Sequence, residues 1–303
     1  MSEAATQAIF EEVDGDMAER MIEVNGVELC TEPFGDPADR PVLLIQGVGA
    51  SMLWWDEGLC RTLSGAGCFV IRYDHRDLGR SVTYGRGHPG YTGADLVADA
   101  AGVLDAYGIA RTHVVGVSAG GAFAQLLALE FPDRVRSLVL ISTSAATPGD
   151  RELPAPTDRF GRFFLDATVD WSDRDSVVGY VVGYCRMLAG DQRTFDEEYV
   201  RALVRHEVER ARDFAARRNH DLLTDGESPS APLSSITAPT LVIHGGADPM
   251  FPFEHGQALA HEIPDASLIR LDGAGHGIDP EDRDTIAAAI IDHTAAADPA
   301  GRG

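Results

Sequence analysis

The chain of 303 residues contains no lysine, so all 25 of its basic residues are arginine. That excludes Schiff-base chemistry, a pyridoxal anchor and a P-loop lysine. Cysteine is scarce as well: Cys30, Cys60, Cys68 and Cys185 are scattered without C-x-x-C spacing. No apolar run approaches the roughly 18 residues of a membrane span. The start, Met1-Ser2-Glu3-Ala4-Ala5, lacks the basic and apolar regions of a secretory signal. These absences lead to the expectation of a reduced, cytoplasmic protein. Basic charge is itself in deficit, 25 residues against 48 acidic ones for a net −23, which repels phosphate backbones and anionic lipid. We therefore expect neither nucleic-acid nor membrane partners. The charge balance gives no sign of an oligomeric interface, and the oligomeric state stays unassigned.

What is present is apolar content of 44%, enough for a sizeable core. Residues 21–34 alternate around Asn25-Gly26, a pair that tolerates positive φ and predicts a hairpin of two antiparallel strands. Short apolar runs follow at 42–45, 69–73, 113–117, 138–141, 241–244 and 267–271, without the alternation of a half-exposed strand. Between them, 53–63, 94–107, 119–131, 254–262 and 281–293 carry helical apolar spacing. Alternating strand and helix predict an α/β class with a mostly parallel, doubly wound sheet. The rhythm breaks after residue 143, where 159–165, 176–187 and 195–218 all read as helices. We read 146–238 as a helical cap inserted into a core formed by 1–145 and 239–303, lying over the strand ends where open α/β sheets bind ligands. Turn-rich segments 148–156 and 227–232 are its expected hinges, and the tail 295–303 is expected to fray. No internal repeat is found.

The chemistry centres on Gly116-Val117-Ser118-Ala119-Gly120, which joins a predicted strand to a predicted helix. A serine at such a sharp turn needs small neighbours and stands clear of the fold at a helix N-terminus. Serine needs a base, and the base needs a partner that fixes its tautomer. Asp248 in Gly245-Gly246-Ala247-Asp248-Pro249 and His276 in Gly273-Ala274-Gly275-His276-Gly277 each follow a predicted strand, which brings both to the sheet edge of Ser118. Asp279, or a carboxylate after Ile141, is the alternative to Asp248. An oxyanion hole requires two N–H donors, for which we nominate the backbone of Ala119 and of Val48 in Gln46-Gly47-Val48-Gly49. His244, His255, His261 and the His206-Glu207 pair lack metal-ligand spacing. The reading requires neither metal nor cofactor.

With Ser, Asp and His in this order, the chain resembles the α/β-hydrolase fold superfamily over almost its whole length. Residues 71–81, Ile-Arg-Tyr-Asp-His-Arg-Asp-Leu-Gly-Arg-Ser, look like the loop after the superfamily's fourth strand. They and Phe34-Gly35-Asp36-Pro37-Ala38-Asp39 resemble stretches of aclacinomycin methylesterase and related bacterial serine esterases. We expect Asp and Arg in 71–81 to hold loop architecture. Many members carry His-Gly before the oxyanion residue, where this chain has Gln46-Gly47. The resemblance implies hydrolysis of a small-molecule carboxylic ester through an acyl-enzyme, and a serine rather than a carboxylate at the elbow argues against epoxide hydrolases and haloalkane dehalogenases. The same triad also serves lactonases, carbon–carbon bond hydrolases and cofactor-free haloperoxidases, and the fold further hosts non-hydrolytic cyclases and non-catalytic binding proteins. Met52, Trp54, Trp55, Phe163, Phe164, Trp171, Tyr180, Tyr184 and Met187 are the expected lining of an apolar pocket for a bulky aromatic or polyketide ester, including a methyl ester.

Overall fold

Asn25 and Gly26, at φ 51° and 78°, turn β1 (Arg20–Val24) back on β2 (Val27–Phe34) as the hairpin pattern predicts. The computed structural model describes residues 18–149, 152–226 and 231–298. Next in the chain come β3 (Arg40–Ile45), α1 (Glu57–Gly65), β4 (Cys68–Tyr73), α2 (Gly93–Ala106), β5 (Thr112–Val117), α3 (Ala119–Glu130) and β6 (Val135–Ile141). The chain then leaves the sheet for α4 (Asp158–Asp166), α5 (Arg174–Leu188) and α6 (Glu197–Arg210). It returns through β7 (Thr240–Gly245), α7 (Glu254–Glu262), β8 (Ser267–Leu271) and α8 (Arg283–Ala297).

The eight strands form one sheet in the order β1-β2-β4-β3-β5-β6-β7-β8. β2 pairs antiparallel with β1 and β4, and every pairing from β4 through β8 is parallel. Strand side chains alternate between faces. Leu43, Ile45, Val114 and Leu140 pack with α2, α3 and α7, whereas Val42, Leu44, Val115 and Ile141 pack with α1 and α8. Burial on both faces explains why these strands read as unbroken apolar runs. The order reverses at β3, which has β4 on one side and β5 on the other, so the loops leaving β3 and β5 meet at a switch point.

Three expected helices are interrupted, two of them by an aspartate cap. Residues 53–63 divide into a 3₁₀ turn (Met52–Trp54) and α1, because the Asp56 carboxylate accepts the Leu59 N–H and starts a new helix. Residues 195–218 divide into α6 and a 3₁₀ segment (Phe214–Leu222) capped by Asp213. At that break the Arg212 N–H donates to Gly79 O at 2.8 Å, tying it to the loop after β4. Residues 281–293 divide into a 3₁₀ turn (Pro280–Asp282), capped by Asp279, and α8. The frayed tail is corrected in part. Helix α8 runs to Ala297, and Asp298 accepts from Arg40 Nε at 3.0 Å and Arg136 Nη1 at 2.8 Å; 299–303 lie outside the described residues. Of the expected hinges, 150–151 and 227–230 also lie outside them. Among the described residues, no helix is long and apolar enough to cross a membrane.

Candidate active site

Ser118 joins β5 to α3 at φ 55°, ψ −127°, a conformation a side chain rarely adopts. Its neighbours explain how the fold imposes it. A Cβ on Gly116 would lie 2.2 Å from Gly120 O, and one on Gly120 would lie 2.2 Å from Ile45 O. Strand, turn and helix therefore pack backbone to backbone, which only glycine permits. Ser118 N–H donates to Ile141 O at 3.0 Å, and Ser118 O accepts from Thr143 Oγ1 at 2.6 Å. The elbow is fastened to the end of β6 and to the residues just after it.

Asp248 follows β7 and His276 follows β8, and their side chains converge on Ser118. Ser118 Oγ stands 2.9 Å from His276 Nε2, and His276 Nδ1 stands 2.8 Å from Asp248 Oδ2. A carboxylate can only accept, so Nδ1 carries the proton and Nε2 presents its lone pair to the serine hydroxyl. Asp248 Oδ1 accepts the N–H groups of Met250 and Phe251, each at 2.8 Å, which fixes the carboxylate in a turn of its own. His244 Nε2–H donates to Phe251 O at 2.7 Å and lies 3.6 Å from Asp248 Oδ2; burial pushes this imidazole down, toward its neutral form. The Phe251 ring meets His276 edge-on, centroids 5.5 Å apart, and limits the turning of its imidazole. Asp279, the alternative partner, instead accepts the Glu281 N–H at 2.9 Å.

Ala119 is the first residue of α3, where helix N–H groups have no intrahelical acceptor. Val48 lies on the loop 46–51, which passes close over the serine: a Cβ on Gly47 would lie 3.6 Å from Ser118 Oγ. Gln46 substitutes locally for a histidine, its Oε1 accepting the Gly47 N–H at 2.7 Å. A histidine does support this loop, but from the loop after β4: His75 Nε2–H donates to Gln46 O at 2.9 Å. Beyond it, Gly49 N–H donates to His220 Nδ1 at 3.0 Å, Ser51 N–H to Glu207 Oε1 at 2.8 Å and Met52 N–H to Asp74 Oδ1 at 2.9 Å. Sequence reasoning missed these four supporting side chains. Glu207 and His220 act on backbone groups 156 and 171 residues away, a relation no local pattern carries. The 71–81 loop is held by charge as expected, with Arg76 forked onto Asp99 at 2.7 and 2.8 Å.

A cavity of about 610 Å³ opens over Ser118, walled by Val48, Trp54, Val181, Tyr184, Phe195, Val200 and Leu203 among others. The expected lining needs correction. Only Trp54 and Tyr184 of the nine nominated residues reach it. Met52 and Trp55, three apart across the 3₁₀ turn, both face inward and are fully buried. Phe163, Phe164 and Tyr180 stack among themselves, Phe163 lying 5.5 Å from Phe164 and 5.4 Å from Tyr180. Trp171 packs on Tyr180 at 5.9 Å, and Met187 is buried off the cavity wall. Helical spacing identified an apolar face but not what it packs against or how far it is buried. Among the described residues, no group of three or more His, Cys, Asp or Glu is placed to hold a metal ion.

A family model described as alpha/beta hydrolase fold matches residues 40–177, and one described as TAP-like protein matches 220–294. Rhodomycin D methylesterase DauP of Streptomyces sp. (strain C5) is 34% identical over 296 residues, covering 93% of this chain and 99% of that protein. Rhodomycin D methylesterase DnrP of Streptomyces peucetius has the same identity, 34%, and the same coverages, 93% and 99%. Among solved structures, the esterase RhEst1 from Rhodococcus sp. ECU1013 superposes with a TM-score of 0.73 at 20% identity, over 93% of this chain and 100% of that one. The chain belongs to the α/β-hydrolase fold family. Within it, this protein is a hydrolase acting on ester bonds.

Proposed function

We propose that Ser118 is the nucleophile, His276 the general base and acid, and Asp248 the group that orients it, with the backbone N–H groups of Val48 and Ala119 as the oxyanion hole. The line Ser118 Oγ, His276 Nε2, His276 Nδ1, Asp248 Oδ2, with links of 2.9 and 2.8 Å, carries this reading. His276 Nε2 takes the hydroxyl proton as Ser118 Oγ attacks the ester carbonyl, and the Val48 and Ala119 N–H groups donate to the oxygen that gains charge. Collapse of the tetrahedral adduct breaks the bond to the leaving alcohol, which receives that proton from His276. Water, deprotonated by the same nitrogen, then attacks the acyl-serine and releases the acid and a regenerated hydroxyl.

The substrate in this reading is a methyl ester of a bulky aromatic or polyketide metabolite. Its supports are the two relatives named as methylesterases and a cavity of about 610 Å³, ample for a polycyclic acyl group, whose wall sets Val48, Trp54, Val181 and Leu203 beside charged groups such as Asp56, Glu197, Arg217 and Arg283. Residues 146–238 form the cap, contributing Val181, Tyr184, Val200 and Leu203 to the wall. A cytoplasmic site of action belongs to the same reading, supported by four cysteines that all stand unpaired. The test is methanol release from a tricyclic aromatic methyl ester and from methyl butyrate, with wild type and Ser118→Ala. The proposal expects Ser118-dependent turnover that favours the tricyclic ester. Release of methanol from methyl butyrate alone would refute the aromatic preference, and release undiminished in Ser118→Ala would refute the nucleophile.

A further inference from the structure

The loop that presents Val48 is held largely by side chains from outside the sheet. Residues 46–51 leave β3 without a strand or helix of their own until the 3₁₀ turn at Met52. Such a loop keeps its N–H groups aimed only if other groups hold it. Two anchors come from the β4 side, His75 on Gln46 O and Asp74 on Met52 N–H. The two between them come from the inserted helices: His220, in the 3₁₀ segment, accepts Gly49 N–H at 3.0 Å, and Glu207, on α6, accepts Ser51 N–H at 2.8 Å. They bracket the stretch immediately after Val48.

We infer that Glu207 and His220 are positioning residues that hold the 47–51 loop in its oxyanion-binding shape, so the cap completes the catalytic site as well as covering it. This rests on the reading of Val48 as an oxyanion donor.

Both side chains are built for the task. His220 is 5% exposed, and its Nε2–H is committed to Arg76 O at 2.8 Å, which leaves Nδ1 as a lone-pair acceptor for Gly49. Burial, then the neighbouring His75, holds its pKa down at about 3, so the acceptor survives through the acidic range. Glu207 is 2% exposed, and Arg217 Nη1 lies 3.7 Å from its second oxygen, supplying the countercharge that a buried carboxylate needs. Arg217 is placed in turn by its guanidinium over the Phe214 ring, 4.7 Å from the centroid. A side chain serving only cap stability would bond within the cap. These two reach past it to the backbone beside the serine.

The test is steady-state kinetics of Glu207→Ala, Glu207→Gln, His220→Ala and His220→Asn on one ester that the wild type hydrolyses in a Ser118-dependent way. Loss of a whole oxyanion donor costs about 10²–10³ in kcat. Loosening one should cost about 10- to 100-fold, with KM changed less than about threefold. Glu207→Gln and His220→Asn keep an acceptor oxygen and should recover most of that loss. An arylboronic acid, which fills the oxyanion hole as a tetrahedral adduct, should bind more weakly to the Ala variants in the same proportion as kcat falls. Should Glu207→Ala fail to fold, Ser51→Pro removes the same hydrogen bond from the core side, because Ser51 lies at φ −74°, ψ 170°, which proline adopts. Folded Ala or Pro variants with kcat and boronate affinity within twofold of wild type would overturn the inference. Absence of Ser118-dependent turnover in the wild type would instead refute the triad reading on which it rests.

Discussion

Strands β5 and β7 are buried at every residue, whereas α4 has no buried residue and α6 buries only Val204, Glu207 and Arg210. The sheet region is cohesive because apolar side chains leave water on both faces. The inserted helices hold a smaller apolar cluster around Val177, Val178, Val181, Val182 and Val204, and meet the sheet region through directed polar bonds. Arg210 Nη1 lies 2.7 Å from Asp74 Oδ2, Asn219 Nδ2 donates to Asp77 Oδ2 at 2.8 Å, and Glu207 reaches Ser51. Buried charged pairs add little net stability but penalise misplacement, since each orphaned partner keeps its desolvation cost. The sheet region thus supplies cohesion and the inserted helices supply placement.

That contrast can be broken most sharply at the relay itself. Asp248→Asn should lower kcat by about 10⁴-fold through the wrong histidine tautomer while leaving the fold intact, measured by ester turnover beside a urea melt. Next comes the elbow. Gly120→Ala would drive a Cβ to 2.2 Å from the Ile45 carbonyl, a backbone atom that cannot swing away, and should destabilise by about 3 kcal/mol. Its urea midpoint at unchanged m-value checks this.

Acid should weaken both regions through their buried histidines. His113 in β5 is pushed down to about 4 and His220 to about 3, each mainly by burial, from an ordinary value of 6.5. Below pH 6.5 the unfolded chain takes up protons that the folded chain refuses, so stability is greatest above 6.5 and falls as pH drops toward 4 and then 3. Urea midpoints at pH 7.5 and 5 should show this fall. It should be shallower in His113→Asn, where one such group is removed.

Smaller effects separate the regions in the opposite direction. Gly179 lies within α5 with open space around its would-be Cβ, so Gly179→Ala should stabilise by about 0.5–1 kcal/mol, seen as a rise in Tm. Arg86 and Asp213 pair at 2.7 Å with the Arg86 side chain 60% exposed, and Arg86→Ala should cost less than about 1 kcal/mol.

The same contrast governs what could be read from the sequence. Val42 to Ile45 and His113 to Val117 announce themselves because a strand buried on both faces must be apolar throughout. Ser118 and Asp248 could be nominated because each follows such a strand within a glycine-rich turn, and His276 because it stands in a glycine-rich turn after β8, the edge strand, which is apolar at three of its five residues but mostly exposed or half-buried. The cavity wall could not be read in this way. The helical period marks Phe163, Phe164 and Tyr180 as apolar, yet Phe163 packs on Phe164 and Tyr180, and Phe164 stays half exposed, so none of the three reaches the cavity. Met52 and Trp55 stand in the loop after Gln46, yet the 3₁₀ turn at Met52–Trp54 faces both into the core rather than the cavity. His220 and Glu207 carried no signal, because a side chain bonded to a distant backbone N–H leaves no trace in spacing.

Intact-mass spectrometry after brief treatment with a fluorophosphonate tests the central claim most directly. The account predicts one adduct per chain, mapped to Ser118, absent in Ser118→Ala and formed at least about 10²-fold more slowly in His276→Ala, where the general base is missing. An adduct on another residue, or one formed at the wild-type rate without His276, would contradict it.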